Sequence, residues 1–410
     1  MDIVVERCAG LDVHKRSVTA CVRAPDAGSG RREDIATFPT FHDDLIRLRD
    51  WLVQRGVTTA VMESTGVFWK PVWQALEDSI DCVLVNARHV HNVPGRKTDV
   101  ADAAWLARLG ECGLVRGSFV PEPLFRRLRD LTRYRRRLVE SHTREAQRID
   151  KVLEDAGIKL SAVASKTLTV SGRAMLEALI RGERDPEALA QLARTRMRAK
   201  LPELRRALVG RFEDHHALLC QVGLGRVDDL QGAISRIDGE VERLIEPFAH
   251  HRERLCTIPG VGPRTAEVII AEIGTDMSRF PTSAHLASWA GLCPGNNESA
   301  GRHYSGRTRR GDKWLRAALV ESAWAVARTR GTFLGARFWR VARRRGTNRA
   351  AVAVAHTILV AAFHILRDDV DYAELGGDWF VRRLDSQRLT HSLVGRLETL
   401  GHTVTLTPAS

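Results

Sequence analysis

The hydrophobic pattern of this 410-residue chain changes its period near residue 112, and that change restricts the possible folds more than any other feature. Before it, three strand-like runs (4–13, 18–22 and 34–38) are followed by alternating helix and strand patterns. After it, from about residue 121 to 250, strand signals are few and apolar residues recur every three or four positions. The sequence therefore predicts a mixed α/β domain followed by long helices.

The order of the early elements predicts the fold class. After the three strands, a helix, a strand, a helix, a strand and a last helix are predicted at 42–54, 59–62, 68–77, 82–86 and 98–109. This is the element order of a RuvC-like, or ribonuclease-H-like, domain. We therefore predict a multidomain α/β plus α protein, with a RuvC-like domain at 1–120, a coiled-coil region of long helices at 121–250, a mostly helical domain at 251–370 and a C-terminal appendage at 371–410. Within the third part, Pro259-Gly260-Val261-Gly262 indicates either the hairpin of a helix-hairpin-helix element or an ordinary turn.

The spacing of apolar residues in the second part predicts packed helices. Apolar residues from Leu230 to Phe248 follow each other by fours and threes, which is a heptad pattern. A similar run at 201–222 is separated from them by Gly223-Leu224-Gly225, where we predict a break in the helix. The pattern indicates either a coiled-coil hairpin within the chain or an interface between two protomers.

The net charge indicates the class of partner. The chain has 63 Lys and Arg against 50 Asp and Glu, a formal net charge of +13, so a polyanion is the first expected partner and an anionic membrane the second. The longest apolar stretch, 350–366, is interrupted by two histidines and is too short to cross a bilayer, so we predict a buried helix and no membrane. Arginines at 126–137 form either a solvated helix face or a phosphate-binding face. The seven cysteines include no C-x-x-C pair, which favours a reduced compartment and no zinc site.

Four acidic residues of the first part are candidates for a metal site. Asp12 lies within an apolar strand, where an unpaired carboxylate is expensive to bury, and Glu63 occupies the corresponding end of a second strand. Asp99 and Asp102 are three residues apart and share one face of a helix. In the predicted fold these carboxylates converge, and clustered oxygens are what Mg²⁺ requires. Taken singly, Asp99 is more typical of a charge at a helix N-terminus, and Glu63 is more typical of a turn or cap residue.

A loop at 294–313 combines small residues with clustered cations, a composition suited to contact with a nucleic-acid backbone. Its candidate phosphate-binding residues are Arg302, Arg307, Arg309, Arg310 and Lys313. Ser299 and Ser305 in the same loop are either linker residues or nucleophiles, and composition alone favours the linker interpretation. The arginine-rich segment 337–349, with Phe338 and Trp339, is a second predicted binding face.

Six strings of residues together match a known family. In the first part they are Gly10-Leu11-Asp12-Val13-His14-Lys15, Met62-Glu63-Ser64-Thr65-Gly66 and Arg96-Lys97-Thr98-Asp99-Val100-Ala101-Asp102-Ala103. In the third part they are Ile258-Pro259-Gly260-Val261-Gly262, Ala290-Gly291-Leu292-Cys293-Pro294-Gly295-Asn296-Asn297-Glu298-Ser299-Ala300-Gly301 and Trp314-Leu315-Arg316. The chain resembles insertion-sequence transposases that carry a DEDD motif in an N-terminal RuvC-like domain and have a C-terminal transposase domain.

This resemblance implies a DNA transposase, or site-specific recombinase, guided by a structured non-coding bridge RNA. It implies that the four acids bind Mg²⁺ and that a serine attacks DNA to form a covalent phosphoserine link. By motif, the acids are Asp12, Glu63, Asp99 and Asp102, and the serine is Ser299, with Ser305 as the second candidate. The expected partners are DNA, a guide RNA and further copies of the chain in a homodimer or homotetramer, in a prokaryotic cytoplasm near the nucleoid.

Two other functions are consistent with the sequence. A RuvC-like structure-specific nuclease would hydrolyse phosphodiesters with metal-activated water. A non-catalytic nucleic-acid-binding scaffold would use the acids only structurally. Substitutions separate these functions, because Asp12→Ala abolishes the chemistry of either enzyme, whereas Ser299→Ala abolishes recombination and spares a nuclease that uses water.

Overall fold

The computed structural model describes residues 3–26, 30–64, 66–86, 99–164, 166–295, 297–299, 301–382 and 386–407. The chain divides into two compact units, Met1–Val120 and Pro121–Ser410. Of the motif residues quoted above, Thr65, Arg96, Lys97, Thr98, Asn296 and Ala300 lie outside the described residues. Among the described residues, the first unit contains a five-stranded sheet and the second is mostly helical.

The elements of the first unit occur in the predicted order. The strands are β1 (Cys8–Val13), β2 (Ser17–Pro25), β3 (Arg31–Pro39), β4 (Thr59–Glu63) and β5 (Asp81–Val85), and the helices are α1 (His42–Gln54), α2 (Trp69–Leu76) and α3 (Asp99–Glu111). The first strand begins at Cys8 rather than at residue 4, because the Val4 and Val5 N–H groups donate to the Glu111 carbonyl at the end of α3.

The strand order in the sheet is β3-β2-β1-β4-β5. Strand β1 pairs antiparallel with β2 and parallel with β4, and β4 pairs parallel with β5. In the parallel pair Leu11 lies opposite Met62, so Asp12 and Glu63, the next residues, reach the same edge of the sheet. In open α/β sheets, ligands bind at the carboxyl ends of the strands.

Different helices cover the two faces of the sheet. One face packs against α1 and α2, whose Leu48 and Leu76 are fully buried. Helix α3 covers the other face, where Leu106 packs with Cys8 and Val61. Because side chains alternate along a strand, Gly10 and Asp12 lie on the same face as Cys8. This face of β1 is therefore the one that α3 covers.

The second unit is built almost entirely from helices. Its two longest helices are α4 (Pro123–Asp155) and α9 (Asp214–Ile245). Between them lie α5 (Leu160–Val163), α6 (Val170–Ile180), α7 (Pro186–Gln191) and α8 (Leu201–Ala207). After them come α10 (Ala249–Cys256), α11 (Pro263–Ile273), α12 (Ser283–Trp289), the small sheet of β6 (Asn297–Ser299) and β7 (Arg302–Ser305), α13 (Lys313–Val326), α14 (Phe333–Arg345), α15 (Thr347–Asp368), α16 (Trp379–Arg382) and α17 (Ser386–Thr399). Short 3-10 helices occupy Thr195–Lys200, Glu246–Phe248 and Met277–Arg279.

Helices α4 and α9 pack against each other in antiparallel fashion. Ile149 of α4 lies against Gly223 of α9, and Arg135 of α4 bonds to Asp238 of α9, so residue numbers fall along one helix as they rise along the other. The predicted break at Gly223-Leu224-Gly225 is wrong, because α9 continues through these residues. Glycine has a packing role here instead, since a Cβ at position 223 would lie 2.8 Å from Ile149 Cγ1.

The two apolar runs of this region differ in burial. Ile234, Val241 and Leu244 of the later run are buried. The earlier run does not form one helix, because α8 ends at Ala207 and α9 begins at Asp214. Leu219 and Val222 of that run are each 54% exposed. Leu204 and Leu208 of the earlier run are also buried, so its exposed apolar positions are those on α9.

The apolar stretch near residue 350 forms α15, a core helix of the second unit. By length and composition α15 could cross a membrane, but 56% of its most apolar window is buried inside the unit. Ile358, Leu359 and Phe363 are among its fully enclosed side chains. The prediction of a buried helix is confirmed.

The segment after α15 folds back onto α14. The Phe333 ring of α14 lies 5.1 Å from the rings of both Trp379 and Phe380, measured between centroids. Trp379 and Phe380 therefore dock the start of the C-terminal appendage on α14. Leu397, further along the appendage, is 42% exposed.

The turn that contains Gly260 joins α10 to α11. Gly260 has a φ of +83°, and a Cβ at this position would lie 2.7 Å from the Ser322 carbonyl oxygen of α13. Both the backbone conformation and the close contact exclude a side chain. Gly260 is thus required for packing within the second unit.

Candidate active site

Helix α3 lies directly on strand β1 because residue 10 has no side chain. A Cβ at Gly10 would lie 2.1 Å from the Ala103 carbonyl oxygen and 2.3 Å from the Ala107 nitrogen. Further along α3, a Cβ at Gly110 would lie 2.5 Å from a Val61 methyl group of β4. The two glycines let the helix approach the sheet closely, which brings the first turn of α3 toward the end of β1.

Asp12, His14 and Asp99 meet at this edge of the sheet. His14 Nε2 lies 3.1 Å from Asp12 Oδ2 and 3.5 Å from Asp99 Oδ1. The Asp12 side chain is only 14% exposed, whereas His14 and Asp99 are open to solvent. One ligand atom from each of the three residues lies within 4.8 Å of the others, which is close enough for one metal ion to contact all three.

The surroundings of Asp12 disfavour its charged form. Burial raises the pKa of the Asp12 carboxyl, and the nearby charges of Asp99 and Asp102 raise it further, while His14 lowers it. Asp102 is therefore close enough to act on Asp12 electrostatically, one turn along α3 from Asp99. A cation bound among these groups would relieve the repulsion between their carboxylates.

Glu63 ends strand β4 beside Asp12. The register that places Leu11 opposite Met62 makes Asp12 and Glu63 neighbours at the strand ends. By strand alternation Glu63 lies on the same face as Val61, which is the face covered by α3. Among the described residues, however, the close three-residue cluster contains Asp12, His14 and Asp99, and neither Glu63 nor Asp102 belongs to it.

His14 follows β1 directly and is not one of the four acids that the sequence predicts as metal ligands. The structure instead gives it a hydrogen bond with Asp12 and a place beside Asp99. The sequence does carry a signal for this contact, because residues two apart along an extended strand share one face. A histidine two positions after a strand carboxylate is thus placed to join it.

The residues of this site fit a divalent cation. Converging carboxylates supply the oxygen ligands that Mg²⁺, Mn²⁺ and Ca²⁺ use, and imidazole suits the transition metals. The largely buried Asp12, whose neighbours are two further carboxylates, gives the site an excess of negative charge. The residues that the structure brings within reach of one ion are Asp12, His14 and Asp99.

The candidate serine lies on a short β-hairpin of the second unit. Strand β6 pairs antiparallel with β7, and Ser299 lies opposite Arg302, so the chain reverses direction immediately after Ser299. Gly301 within the turn has a φ of +75°, a conformation that glycine adopts without strain. Ser305 lies opposite Asn297 at the other end of the hairpin. The backbone thus presents Ser299 at the tip and Ser305 at the base.

Three glycines close the stem of the loop that carries this hairpin. A Cβ at Gly311 would lie 2.3 Å from the Gly291 nitrogen, and the Gly295 N–H donates to the Arg307 carbonyl at 3.1 Å. The cationic side chains of the loop are exposed: Arg302, Arg307, Arg309, Arg310 and Lys313. The loop therefore presents a basic surface around the hairpin.

A buried ion-pair network supports the end of this loop. Asp312 caps α13 by accepting from the Trp314 and Leu315 N–H groups, and it also accepts a bond of 3.1 Å from Arg133. Arg133 donates twice to Glu272, which is fully buried. Burial raises the pKa of the Glu272 carboxyl, and the hydrogen bonds from Arg133 oppose that shift. The network joins α4, α11 and α13.

Both predictions for the arginines at 126–137 are wrong for part of this set. Arg129 and Arg133 pair with Glu272, and Arg135, which is 5% exposed, pairs with Glu267. These arginines face acids of α11, so they form neither a solvated face nor a free phosphate-binding face. Their charges are compensated inside the unit.

Two family models of transposases match the chain. The DEDD transposase model of the IS110 group matches residues 9–158, which include the four candidate acids. The model described as transposase IS116/IS110/IS902 family matches residues 252–336, which include the serine hairpin and its basic loop. Together they cover more than half of the chain, in the order expected from the motifs. The chain belongs to the IS110 family of DEDD transposases.

This IS110-family transposase has relatives named for DNA rearrangement. It is 26% identical over 268 residues to a probable family 20 transposase of Pseudomonas aeruginosa, which covers 64% of this chain and 70% of the relative. It is 27% identical over 302 residues to a 43.6 kDa protein of insertion element IS110 from Streptomyces coelicolor, covering 68% and 73%. A pilin gene-inverting protein of Moraxella bovis is 37% identical over 100 residues, covering 23% and 31%.

Membership of this family defines the class of enzyme. The IS110-family transposase is a DNA transposase or recombinase, and DNA is its partner. The DEDD family implies the use of a divalent metal, and acidic residues gather at the carboxyl edge of the first sheet.

Proposed function

We propose that this transposase cleaves and rejoins DNA by transesterification, with Mg²⁺ held by carboxylates and a serine as nucleophile. The proposed metal ligands are Asp12, Glu63, Asp99 and Asp102, and the proposed nucleophile is Ser299. The observation that carries the proposal is the meeting of Asp12 and Asp99 at one edge of the sheet, within 4.8 Å of each other and of His14. The effect of Asp102 on Asp12, and the register that brings Glu63 beside Asp12, support the same site.

The hairpin supports Ser299 over Ser305 as the nucleophile. A nucleophile must approach the phosphorus of a bulky duplex. The turn of a hairpin is the part of its backbone farthest from the stem. Ser299 precedes the turn directly, whereas Ser305 ends β7 at the hairpin base. Exposed arginines around the hairpin supply the positive charge that such a phosphate requires.

The proposed chemistry exchanges one phosphodiester bond for another. The Ser299 oxygen attacks phosphorus, the bond from phosphorus to a deoxyribose oxygen breaks, and the serine proton ends on the released sugar hydroxyl. A hydroxyl of a second DNA end then attacks the phosphoserine, which rejoins DNA and regenerates the serine. Mg²⁺, when bound, polarises the phosphate and favours ionisation of the attacking hydroxyl. The cations of the loop, Arg302, Arg307, Arg309, Arg310 and Lys313, hold the DNA backbone and neutralise charge on the phosphate.

The proposal extends to the fold and the partners. The sheet order β3-β2-β1-β4-β5 supports a RuvC-like, ribonuclease-H-like domain at 1–120. We assign the helices at 121–250 to a coiled-coil region, 251–370 to the C-terminal transposase domain and 371–410 to an appendage. A structured guide RNA, a homodimer or homotetramer in which a serine can serve another chain's acids, and a cytoplasmic, nucleoid-associated location complete the proposal.

A covalent-adduct assay tests the serine mechanism. The protein is incubated with Mg²⁺, RNA and labelled element-end DNA, and the products are separated on a denaturing protein gel. We expect a labelled adduct with the wild-type chain and with Ser305→Ala, and none with Ser299→Ala or Asp12→Ala. Mass spectrometry of the adduct peptide identifies the attached residue.

The same assay separates the alternative functions. DNA cleavage without any adduct, unaffected by Ser299→Ala, would identify a nuclease that uses water. DNA processing that survives Asp12→Ala would contradict the metal site. Binding of DNA without cleavage in every variant would favour a non-catalytic scaffold.

A further inference from the structure

The C-terminal end of α14 carries an exposed aromatic ring among unpaired arginines. Trp339 is 51% exposed, although Phe338 beside it is fully buried, so only one of the two aromatic residues of this segment faces solvent. Trp339 shares its side of the helix with Arg343, four positions later, and Arg340 and Arg344 line the same cavity. This face is part of neither the serine loop nor the acid cluster.

The Trp339 ring is held in a fixed orientation despite its exposure. Its indole Nε1 donates a hydrogen bond of 3.0 Å to the Ala327 carbonyl oxygen at the end of α13. The Phe338 ring lies against it, with centroids 5.4 Å apart. A ring fixed along one edge and open on a face is a preorganised surface for stacking, because little rotamer freedom is left to lose on binding.

A groove runs from Trp339 to the segment after α15. It has a volume of about 380 Å³, and residues at its edge include Trp339, Arg340, Arg343, Arg344, Phe380 and Val381. The Arg340 guanidinium lies 5.1 Å from the centroid of the Phe380 ring, which makes the second wall of the groove both aromatic and cationic. The groove therefore offers apolar rings inside and positive charge at its edge.

The arginines of this groove have free charge for a ligand. In the part of the chain that the structure describes, no carboxylate pairs with Arg340, Arg343 or Arg344 within 4.0 Å. The acids of the neighbouring segment are engaged elsewhere, since Asp378 pairs with Arg382 and Glu374 accepts the Phe333 N–H. Unpaired guanidiniums attract phosphate groups, and they distinguish this groove from the neutralised arginines of α4.

We propose that the Trp339 groove binds single-stranded nucleic acid, with an unstacked base on the Trp339 ring and its flanking phosphates on Arg343 and Arg344. Bases of a duplex are stacked on their neighbours and cannot offer a free face, whereas a single strand offers every face to an aromatic platform. The groove thus selects single strands over duplex, whether the strand is RNA or unpaired DNA. The proposal concerns binding alone and stands apart from the serine chemistry.

Binding by the full-length chain tests this proposal. Fluorescence anisotropy with labelled oligo(U), oligo(dT) and a DNA duplex is measured in EDTA, which prevents cleavage. We expect Trp339→Ala to weaken binding of a single strand about 5- to 150-fold, and Trp339→Phe, which keeps a ring, to bind close to wild type. The double variant Arg343→Gln/Arg344→Gln should lower the slope of log affinity against log salt by ~1.4. The oligo(U) and oligo(dT) arms show which kind of strand the groove prefers.

Matched controls separate the groove from general effects. Phe41→Ala removes an exposed aromatic ring that precedes two acids of α1, and Arg47→Gln/Arg49→Gln removes two charges that are paired with carboxylates. Both controls should bind single strands like wild type. Unchanged affinity and salt slope in the Trp339 and arginine variants would overturn the proposal, as would equal losses in the controls. Ser299→Ala should bind single strands like wild type. The outcome of this binding test therefore does not depend on whether the serine mechanism is correct.

Discussion

Gly10 of β1 and Ala107 of α3 are in backbone contact, and a Cβ on Gly10 would lie 2.3 Å from the Ala107 nitrogen. This contact sets the distance between the strand that carries Asp12 and the helix that carries Asp99 and Asp102. Position 10 therefore acts on the candidate metal site without being a ligand of it.

Gly10→Ala should destabilise the first unit and weaken its metal site together. Overpacking by one methyl group costs roughly 1–3 kcal/mol, and relief of the clash moves α3 away from β1. Urea unfolding and Mn²⁺ titration measure the two effects. Gly232→Ala is the matched control, because a Cβ there meets nothing within 4 Å and alanine stabilises an exposed helix position by about 1 kcal/mol. Wild-type Mn²⁺ affinity in Gly10→Ala would contradict the role of this contact.

His14→Ala should weaken divalent-metal binding about 10- to 100-fold, the usual effect of losing a group that orients metal-binding carboxylates. The reason is geometric, since His14 Nε2 contacts carboxylate oxygens of both Asp12 and Asp99. Calorimetric titration with Mn²⁺ provides the measurement. Lys15→Ala changes the next residue, which is exposed, and should leave the affinity unchanged. Equal affinities in the two variants would remove His14 from the site.

Glu272→Gln should destabilise the second unit strongly. The substitution leaves the Arg129 and Arg133 guanidiniums beside a neutral amide in a buried position, and breaking a buried ion pair costs roughly 3–5 kcal/mol. The urea midpoint reports the loss. Glu240→Gln breaks an exposed pair with Arg243 and should leave that midpoint unchanged. A small effect of Glu272→Gln would mean that the network does not support the loop.

Four thiols should resist alkylation in the folded protein. Burial raises the pKa of Cys8 and of Cys82 to about 12, and the pKa of Cys21 and of Cys220 to about 11. Only thiolates react, and near pH 8 a thiol with a pKa of 12 is ionised in ~0.01% of molecules, so labelling is slow and rises about tenfold per pH unit. Iodoacetamide labelling followed by peptide mass spectrometry measures this, with urea-unfolded protein as the fully reactive control. Rapid labelling of Cys8 at pH 8 would contradict the packing of α3 on β1.

The sequence is sufficient to predict most of the first unit because β1, β2, β4 and β5 contain short apolar runs bounded by polar residues. It also predicts that Asp12 and Asp99 meet, because the order of strands and helices brings the end of β1 and the start of α3 to one edge of the sheet. The structure brings these two residues together. Alternation along β1 places His14 on the side of Asp12, but it gives no information about the contact of His14 with Asp99 on α3.

The errors in the second unit have a common physical cause. Glycine propensity predicted a break at Gly223, but the cost of about 1 kcal/mol for a helical glycine is outweighed when it allows close contact with Ile149. Similarly, a polar helix face is expected to meet water, but Arg133 meets Glu272, which is 139 positions away in the chain. Local patterns carry no information about such distant partners.

Lysine should not replace arginine equally well in all parts of the chain, because the α4 arginines are paired with carboxylates. Arg133 holds Glu272 through two parallel hydrogen bonds, a geometry that requires the planar fork of a guanidinium. The exposed arginines of the serine loop instead have to supply positive charge, which an ammonium also provides. Exchange of arginine for lysine should therefore be tolerated around the hairpin and rejected on α4, although arginine is the main cation of both segments. Among natural variants of this chain, substitutions between arginine and lysine should occur more often in the loop than on α4.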